Sequence, residues 1–162
     1  MKIRTHHSPP KRVLWGTATS AAGKLAVGMT EKGEICRIVF LRGRKAAEAV
    51  AEWRSEWPQT EFSNDADLEN FTDKPILLVG TSFQHAVWRV IAKIPIGHVR
   101  TYGDIARRIG KGSAARSAGA ACGANPVPFL IPCHRVVAAN GLGGFSGGLE
   151  LKNELLKLER KP

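Results

Sequence analysis

Short apolar runs broken by turn residues fill the first forty positions, and the spacing then becomes helical. Val13-Leu14-Trp15-Gly16-Thr17-Ala18 and Leu25-Ala26-Val27-Gly28-Met29 read as β-strands. Ile35-Cys36-Arg37-Ile38-Val39-Phe40-Leu41 reads as a third, entered through Glu31-Lys32-Gly33-Glu34. Ala46, Val50 and Trp53 recur at helical spacing, which predicts a helix from Ala46 to Trp57 ended by Pro58. Residues 60–75 are acidic and polar with turn signals, and the character of the chain changes near Gly80, where a domain boundary is expected.

From Ser82 the pattern is mainly helical. Ser82 is expected to cap a helix carrying Phe83, Val87, Val90, Ile91 and Ile94, stopped by Pro95. Thr101 with Asp104 three residues on forms a capping-box variant opening a second helix, which buries Ile105, Ala106 and Ile109 and ends at Gly110. A third helix is expected from Ser113 towards Ala124, and two short helices joined by a glycine turn make a helix-turn-helix pattern. The apolar run Val127, Phe129, Leu130, Ile131 resembles a nearly buried strand leading to a turn at Pro132. A last helix, Glu150 to Arg160, turns Leu151, Leu155 and Leu158 inward.

Composition adds charge. Of 162 residues, 24 are Lys or Arg and 14 Asp or Glu. Residues 1–80 hold 12 basic against 10 acidic side chains, a net of +2, whereas residues 81–162 hold 12 against 4, a net of +8. The second half therefore offers a polyanion an attractive surface, although a basic soluble protein without a nucleic-acid partner would look the same by charge alone. No apolar run approaches bilayer-spanning length, and the charged N-terminus shows no secretory signal. Three cysteines (Cys36, Cys122, Cys133) without paired spacing argue for reduced thiols and against structural zinc.

Three segments carry chemistry. In the third helix nearly every residue is small and Arg116 is the only charge, which is odd for a major-groove reader. A helix so stripped of side chains suits close approach to minor-groove walls, or equally burial in a core. The run Ile131-Pro132-Cys133-His134-Arg135-Val136 sets a thiol beside an imidazole and a guanidinium, and neighbouring positive charge is expected to favour the thiolate. Between Asn140 and Gly148 lie five glycines in nine residues, a loop able to approach a flat ligand closely.

Read together, Phe83-Gln84-His85-Ala86-Val87-Trp88, Thr101-Tyr102-Gly103-Asp104-Ile105-Ala106, Gly123-Ala124-Asn125-Pro126, the Pro-Cys-His-Arg turn and Gly144-Phe145-Ser146-Gly147-Gly148-Leu149 resemble the O6-alkylguanine-DNA alkyltransferase (methylated-DNA–protein-cysteine methyltransferase) family. The likeness covers roughly residues 82–159, about half the chain. It implies an α+β protein of two small domains. Residues 1–80 would form a ribonuclease-H-like mixed α/β domain and residues 81–162 a winged-helix (helix-turn-helix) catalytic domain.

The roles below are what the resemblance implies. Cys133 takes the alkyl group irreversibly from O6-alkylguanine, or from O4-alkylthymine, after the base is flipped out of the duplex. His134 acts as base through a water, Glu159 orients it, Tyr102 donates to the departing guanine and Asn125 shapes the turn. Arg116 fills the gap in the duplex, with Tyr102, Ser113, Ala115, Ala121 and Cys122 also facing DNA. Val136, Ser146, Phe145, Pro128, Gly143 and Arg135 form the substrate pocket. No cofactor or metal is expected. The partner is double-stranded DNA carrying O6-alkylguanine, with no membrane. The protein is expected to be a monomer in solution, with cooperative assembly on DNA left open, in the cytoplasm with the nucleoid or in a nucleus.

Phe145 stands where some members have tyrosine, and Gly123 where some have a basic residue. Three rival readings stay open on the residues alone. One is a lesion-binding protein without transfer, against which Cys133 counts, since such proteins typically carry tryptophan there. The others are a cysteine hydrolase, for which adjacent Cys133 and His134 are awkward partners, and a plain helix-turn-helix regulator.

Overall fold

A computed structural model describes residues 1–160, and the chain separates into two compact units, Met1–Gly80 and a second beginning at Thr81. The first unit is a six-stranded mixed sheet with a helix. Its elements are β1 (Ile3–His6), β2 (Arg12–Ser20), β3 (Gly23–Thr30), β4 (Ile35–Phe40), α1 (Ala46–Glu56), β5 (Glu61–Ser63) and β6 (Ile76–Val79), in the sheet order β1-β6-β4-β3-β2-β5. The hairpins β2–β3 and β3–β4 are antiparallel, and β1, β5 and β6 add in parallel.

Trp53 and Trp57 drive α1 against this sheet, into a cluster with Val13, Ala26, Cys36, Val50 and Leu77. Gly28 permits the contact, because a Cβ there would stand 2.9 Å from Val13 and 3.4 Å from the Trp53 ring. Arg37 lies over both indoles, 5.5 and 5.0 Å from their centroids, and is anchored by Glu56 at 2.7 Å. The three expected strands are present. The parallel pair β1 and β6 went unexpected, since Ile3-Arg4-Thr5-His6 is short and charged and takes its register from Ile76–Val79, remote in sequence.

The second unit holds α2 (Ser82–Ile91), β7 (Arg100–Thr101), α3 (Tyr102–Arg108), α4 (Ala115–Gly123), β8 (Val136–Val137) and α5 (Leu149–Arg160). Thr101 and Asp104 make the expected capping box for α3. At α2 the cap is Thr81 rather than Ser82, because Gln84 is the residue positioned to return a hydrogen bond to the cap. Helix α4 begins at Ala115, two residues later than expected, and Trp88 of α2 binds it by donating from Nε1 to Ala121 O at 2.8 Å.

The segment before Pro132 is not a strand. It is a buried, irregular loop with one bridge between Pro128 and Ile131 and a left-handed Phe129 (φ 78°). In α5 the inward residues are Leu151, Lys152, Leu155 and Leu156, while Leu158 is exposed. Strands β7 and β8 pair in parallel, Arg100 with Val136 and Thr101 with Val137. That short ladder sets the start of α3, and so Tyr102, beside the chain leaving the Cys-His-Arg turn.

Candidate active site

Cys133, His134 and Arg135 form one 3-10 turn between the buried loop and β8. Asn125 shapes its approach, since its Nδ2 donates to Ile131 O at 2.8 Å and its Oδ1 accepts from Val127 N at 3.0 Å. Both bonds are buried, so the loop is fixed by a side-chain amide where regular pairing is missing. His134 is 2% exposed and Nε2 lies 2.7 Å from Glu159 Oε1 near the end of α5, so it donates there to an ionised carboxylate. Nδ1 of His134 is buried with no protein partner.

Arg135 was expected in the substrate pocket and is placed elsewhere. It clamps Glu159 from the other side, with Nε at 2.9 Å from Oε2, Nη2 at 2.7 Å from Oε1 and Nη1 donating to Ile94 O at 2.6 Å. Burial works against the Glu159 carboxylate, but bonds from Arg135 and His134 outweigh it and hold the acid below its usual pKa. Burial lowers the pKa of His134 despite Glu159, which leaves the imidazole neutral at neutral pH.

A cavity of about 380 Å³ opens beside the turn. Of the expected residues, Tyr102, Ala115, Arg116, Cys122, Cys133, Phe145 and Ser146 line it, drawn from α3, α4, the turn and the glycine-rich loop. Three glycines not assigned to the site beforehand, Gly119, Gly123 and Gly144, complete the wall. Tyr102 lies against Gly119 and donates from Oη to Gly144 O at 3.3 Å. Gly143 (φ +72°) is outside the lining but enforces the shape, because a Cβ there would come within 2.7 Å of the Tyr102 oxygen.

Other expected positions are corrected. Ala121 is 2% exposed and packs inward under Trp88, because α4 presents Ala118, Ala121 and Cys122 to the core. Ser113, by contrast, is exposed ahead of α4, as a surface position requires, while Pro128 and Val136 are buried and outside the cavity lining. A neighbouring cation, Lys152, does pull the Cys133 thiol towards the thiolate, but burial outweighs it. Cys133 is 4% exposed, and burial pushes its thiol up to about 11 against the pull of Asn125 and of Lys152.

The family described as "6-O-methylguanine DNA methyltransferase, DNA binding domain" matches residues 82–161. A methylated-DNA–protein-cysteine methyltransferase of Methanosarcina barkeri is 40% identical over 148 residues, covering 86% of this chain and 92% of the relative. The chain belongs to the methylated-DNA–protein-cysteine methyltransferase family. An inducible member of Bacillus subtilis is 50% identical over 143 residues, covering 76% of this chain and 79% of its own. Among solved structures, the crystal structure of Mycobacterium tuberculosis OGT in complex with DNA superposes with a TM-score of 0.73 at 32% identity, over 91% of this chain and 93% of that one. The mixed α/β architecture is therefore the family's own.

One residue of this methyltransferase-family site escaped the sequence reading. Lys152 is fully buried on α5, and its ammonium donates to Val136 O at 2.6 Å, Leu142 O at 2.5 Å and Gly144 O at 2.9 Å. The signal was available, since Lys152 shares the inner helical face with Leu151, Leu155 and Leu156, where a lysine is out of place. Among the described residues no group of three or more His, Cys, Asp or Glu is arranged to hold a metal, and no helix is long and apolar enough to cross a membrane.

Proposed function

We propose that this chain repairs alkylated DNA by moving one alkyl group from O6 of guanine to Cys133. The observation that carries the reading is a nucleophile at a cavity wall whose neighbour His134 is buried, neutral and braced by Glu159. The Cys133 sulfur attacks the alkyl carbon as the carbon–O6 bond breaks. His134 takes the thiol proton at Nδ1 through one water, and the imidazolium so formed is stabilised by Glu159. Guanine departs as its anion and regains a proton, with the Tyr102 phenol placed to donate as that charge develops. Burial raises the Tyr102 pKa, which keeps it a donor. The step needs no cofactor, and a thioether is not readily hydrolysed, so each molecule acts once.

Only an extrahelical base can present its alkyl group to a thiol at the bottom of a cavity, so the reaction requires base flipping. Arg116 stands on the cavity rim, exposed, and is the residue assigned to fill the stack. The small residues of α4 admit the minor-groove walls, and Arg100, Arg107 and Arg108 around one recess supply phosphate contacts. We assign residues 81–162 as a winged-helix catalytic domain and residues 1–80 as a ribonuclease-H-like domain. The protein acts as a monomer wherever the cell keeps its DNA, and O4-alkylthymine is a second substrate.

The test is an intact mass after incubation with a duplex bearing one O6-methylguanine, with Cys133→Ser alongside. A gain of one methyl group, capped at one equivalent and absent in the variant, is expected. Tight lesion binding with no mass change would make the protein a lesion sensor instead.

A further inference from the structure

Two adjoining recesses on the outer side of α3 share Arg100, Asp104 and Arg108. The larger, of about 440 Å³, adds Arg107, and the smaller adds Lys93 over a floor of Val90, Ile94 and Ile105. Four cations thus meet one carboxylate. Asp104 is already committed, since one oxygen accepts from Thr101 N at 2.9 Å and the other from Arg107 Nη2 at 2.5 Å. Arg100 donates to the neighbouring Val99 carbonyl at 2.9 Å. The side chains of Lys93 and Arg108 are exposed and make no hydrogen bond or ion pair among the described residues. Once Arg107 is set against Asp104, three positive charges stand together without an anion.

Their place on the helix separates them from the reaction. Tyr102 lines the cavity, whereas at 3.6 residues per turn Asp104 and Arg108 lie about 160° and about 120° away from it around α3. The recess and the cavity share no lining residue. A duplex that yields a base to the cavity meets α3 from the Tyr102 side and lies against α4 and Arg116. To reach Arg108 as well it would have to fold round a helix about 10 Å across. Duplex DNA is stiff over about 150 base pairs and resists so sharp a turn.

We propose that this recess is a second DNA-phosphate site, which holds the backbone of a duplex segment other than the one whose base enters the cavity. One molecule then passes from segment to segment through a doubly bound state. The phosphate contacts assigned above to Arg100, Arg107 and Arg108 are contacts to that second segment. The proposal takes its partner from the repair reading but does not depend on transfer to Cys133. A protein that acts once spends its working life on undamaged DNA, and a second grip lets it move without returning to free solution. The guanidinium forks suit phosphate oxygens, and Lys93 adds a point charge at the edge.

The experiment uses Cys133→Ser, which cannot take the alkyl group, bound to a fluorescent duplex bearing one O6-methylguanine. Dissociation is timed after mixing with rising concentrations of unlabelled, undamaged duplex. A single site gives a rate independent of the competitor, and a doubly bound state gives a rate that rises with it. A rising rate is expected, and a flat one overturns the proposal. Adding Lys93→Gln, Arg100→Gln and Arg108→Gln should lower the slope about tenfold. The same loss of charge at Lys11, Lys24 and Lys32, exposed in the first unit, should leave the slope in place.

An equal fall in both triple variants would reduce the effect to net charge and overturn the site. So would a slope that survives the recess variant. If that variant does not fold, Arg108→Gln alone decides, since its side chain holds nothing in place. It should lower the slope about twofold to threefold, and an unchanged slope overturns the proposal. The repair reading fails separately. An unmutated chain that gains no methyl group from the duplex removes that reading and leaves a competitor-dependent rate standing, whereas methyl uptake with a flat rate removes only the second site.

Discussion

Cys36 and Cys133 are both buried thiols, one near the start of β4 and one at the turn before β8, and burial raises both, to about 12 and about 11. Around Cys36 are Val13, Ala26, Ala49, Val50, Trp53 and Leu77, a buried apolar cluster. Around Cys133 are an imidazole braced by a carboxylate, an amide, a buried ammonium and a cavity of about 380 Å³. The same desolvation acts on both thiols, in different surroundings. What separates them is the carboxylate-braced imidazole and the cavity beside Cys133.

The comparison breaks first at the proton route. His134→Gln keeps a polar side chain against Glu159 but offers no base, and methyl transfer from the duplex should slow by about 10²–10⁴-fold in single-turnover assays. Wild-type rates would return the proton to bulk solvent and erase the contrast with Cys36. Asn125→Ala strips the turn of two buried bonds, so a loss of about 1–3 kcal/mol in urea unfolding is expected, with slower transfer. An unchanged transfer rate would show that the irregular loop is held without its amide.

Acid sharpens the same point. His134 is held below its ordinary value in the folded chain, so the unfolded chain binds that proton more readily. Stability is full above the unfolded histidine pKa near 6.5 and falls as pH drops below it. Glu159, also held low, adds a second loss as pH falls below the usual carboxylate range. The thermal midpoint should thus decline from neutral pH downwards, and His134→Gln should flatten the upper part of the decline. The smallest effect is expected at Cys36→Ala, with about 1 kcal/mol of stability lost and the transfer rate unchanged. A slowed transfer there would mean that Cys36 is not the inert member of the pair.

Local chemistry was legible in the chain and remote chemistry was not. The Cys-His-Arg turn and the capping box at Thr101 are contiguous, so pattern alone located them. Glu159 came from resemblance, since nothing in a sequence brings α5 back onto a turn 25 residues earlier. Arg135 was misplaced because adjacency to Cys133 suggests proximity, whereas successive side chains of a 3-10 turn point in different directions. Lys152 was passed over by reading Leu158 as inward, one choice of helical phase that hid a buried ammonium behind an ordinary polar residue. The left-handed Phe129 had no glycine to announce it. In the first unit, hairpin strands followed from their own apolar runs, while β1 and β6 depended on a parallel pairing that only the folded chain supplies.

The central claim is that surroundings, rather than burial, choose the acceptor among three buried cysteines. Incubating the unmutated chain with a limiting O6-methylguanine duplex, then mapping the methyl group by fragment ions, tests it most directly. The fragments must separate Cys122 from Cys133, which share one tryptic peptide. A single methyl group on Cys133 and none on Cys122 or Cys36 is expected. Methyl on Cys122, or a distribution over the three, would contradict it.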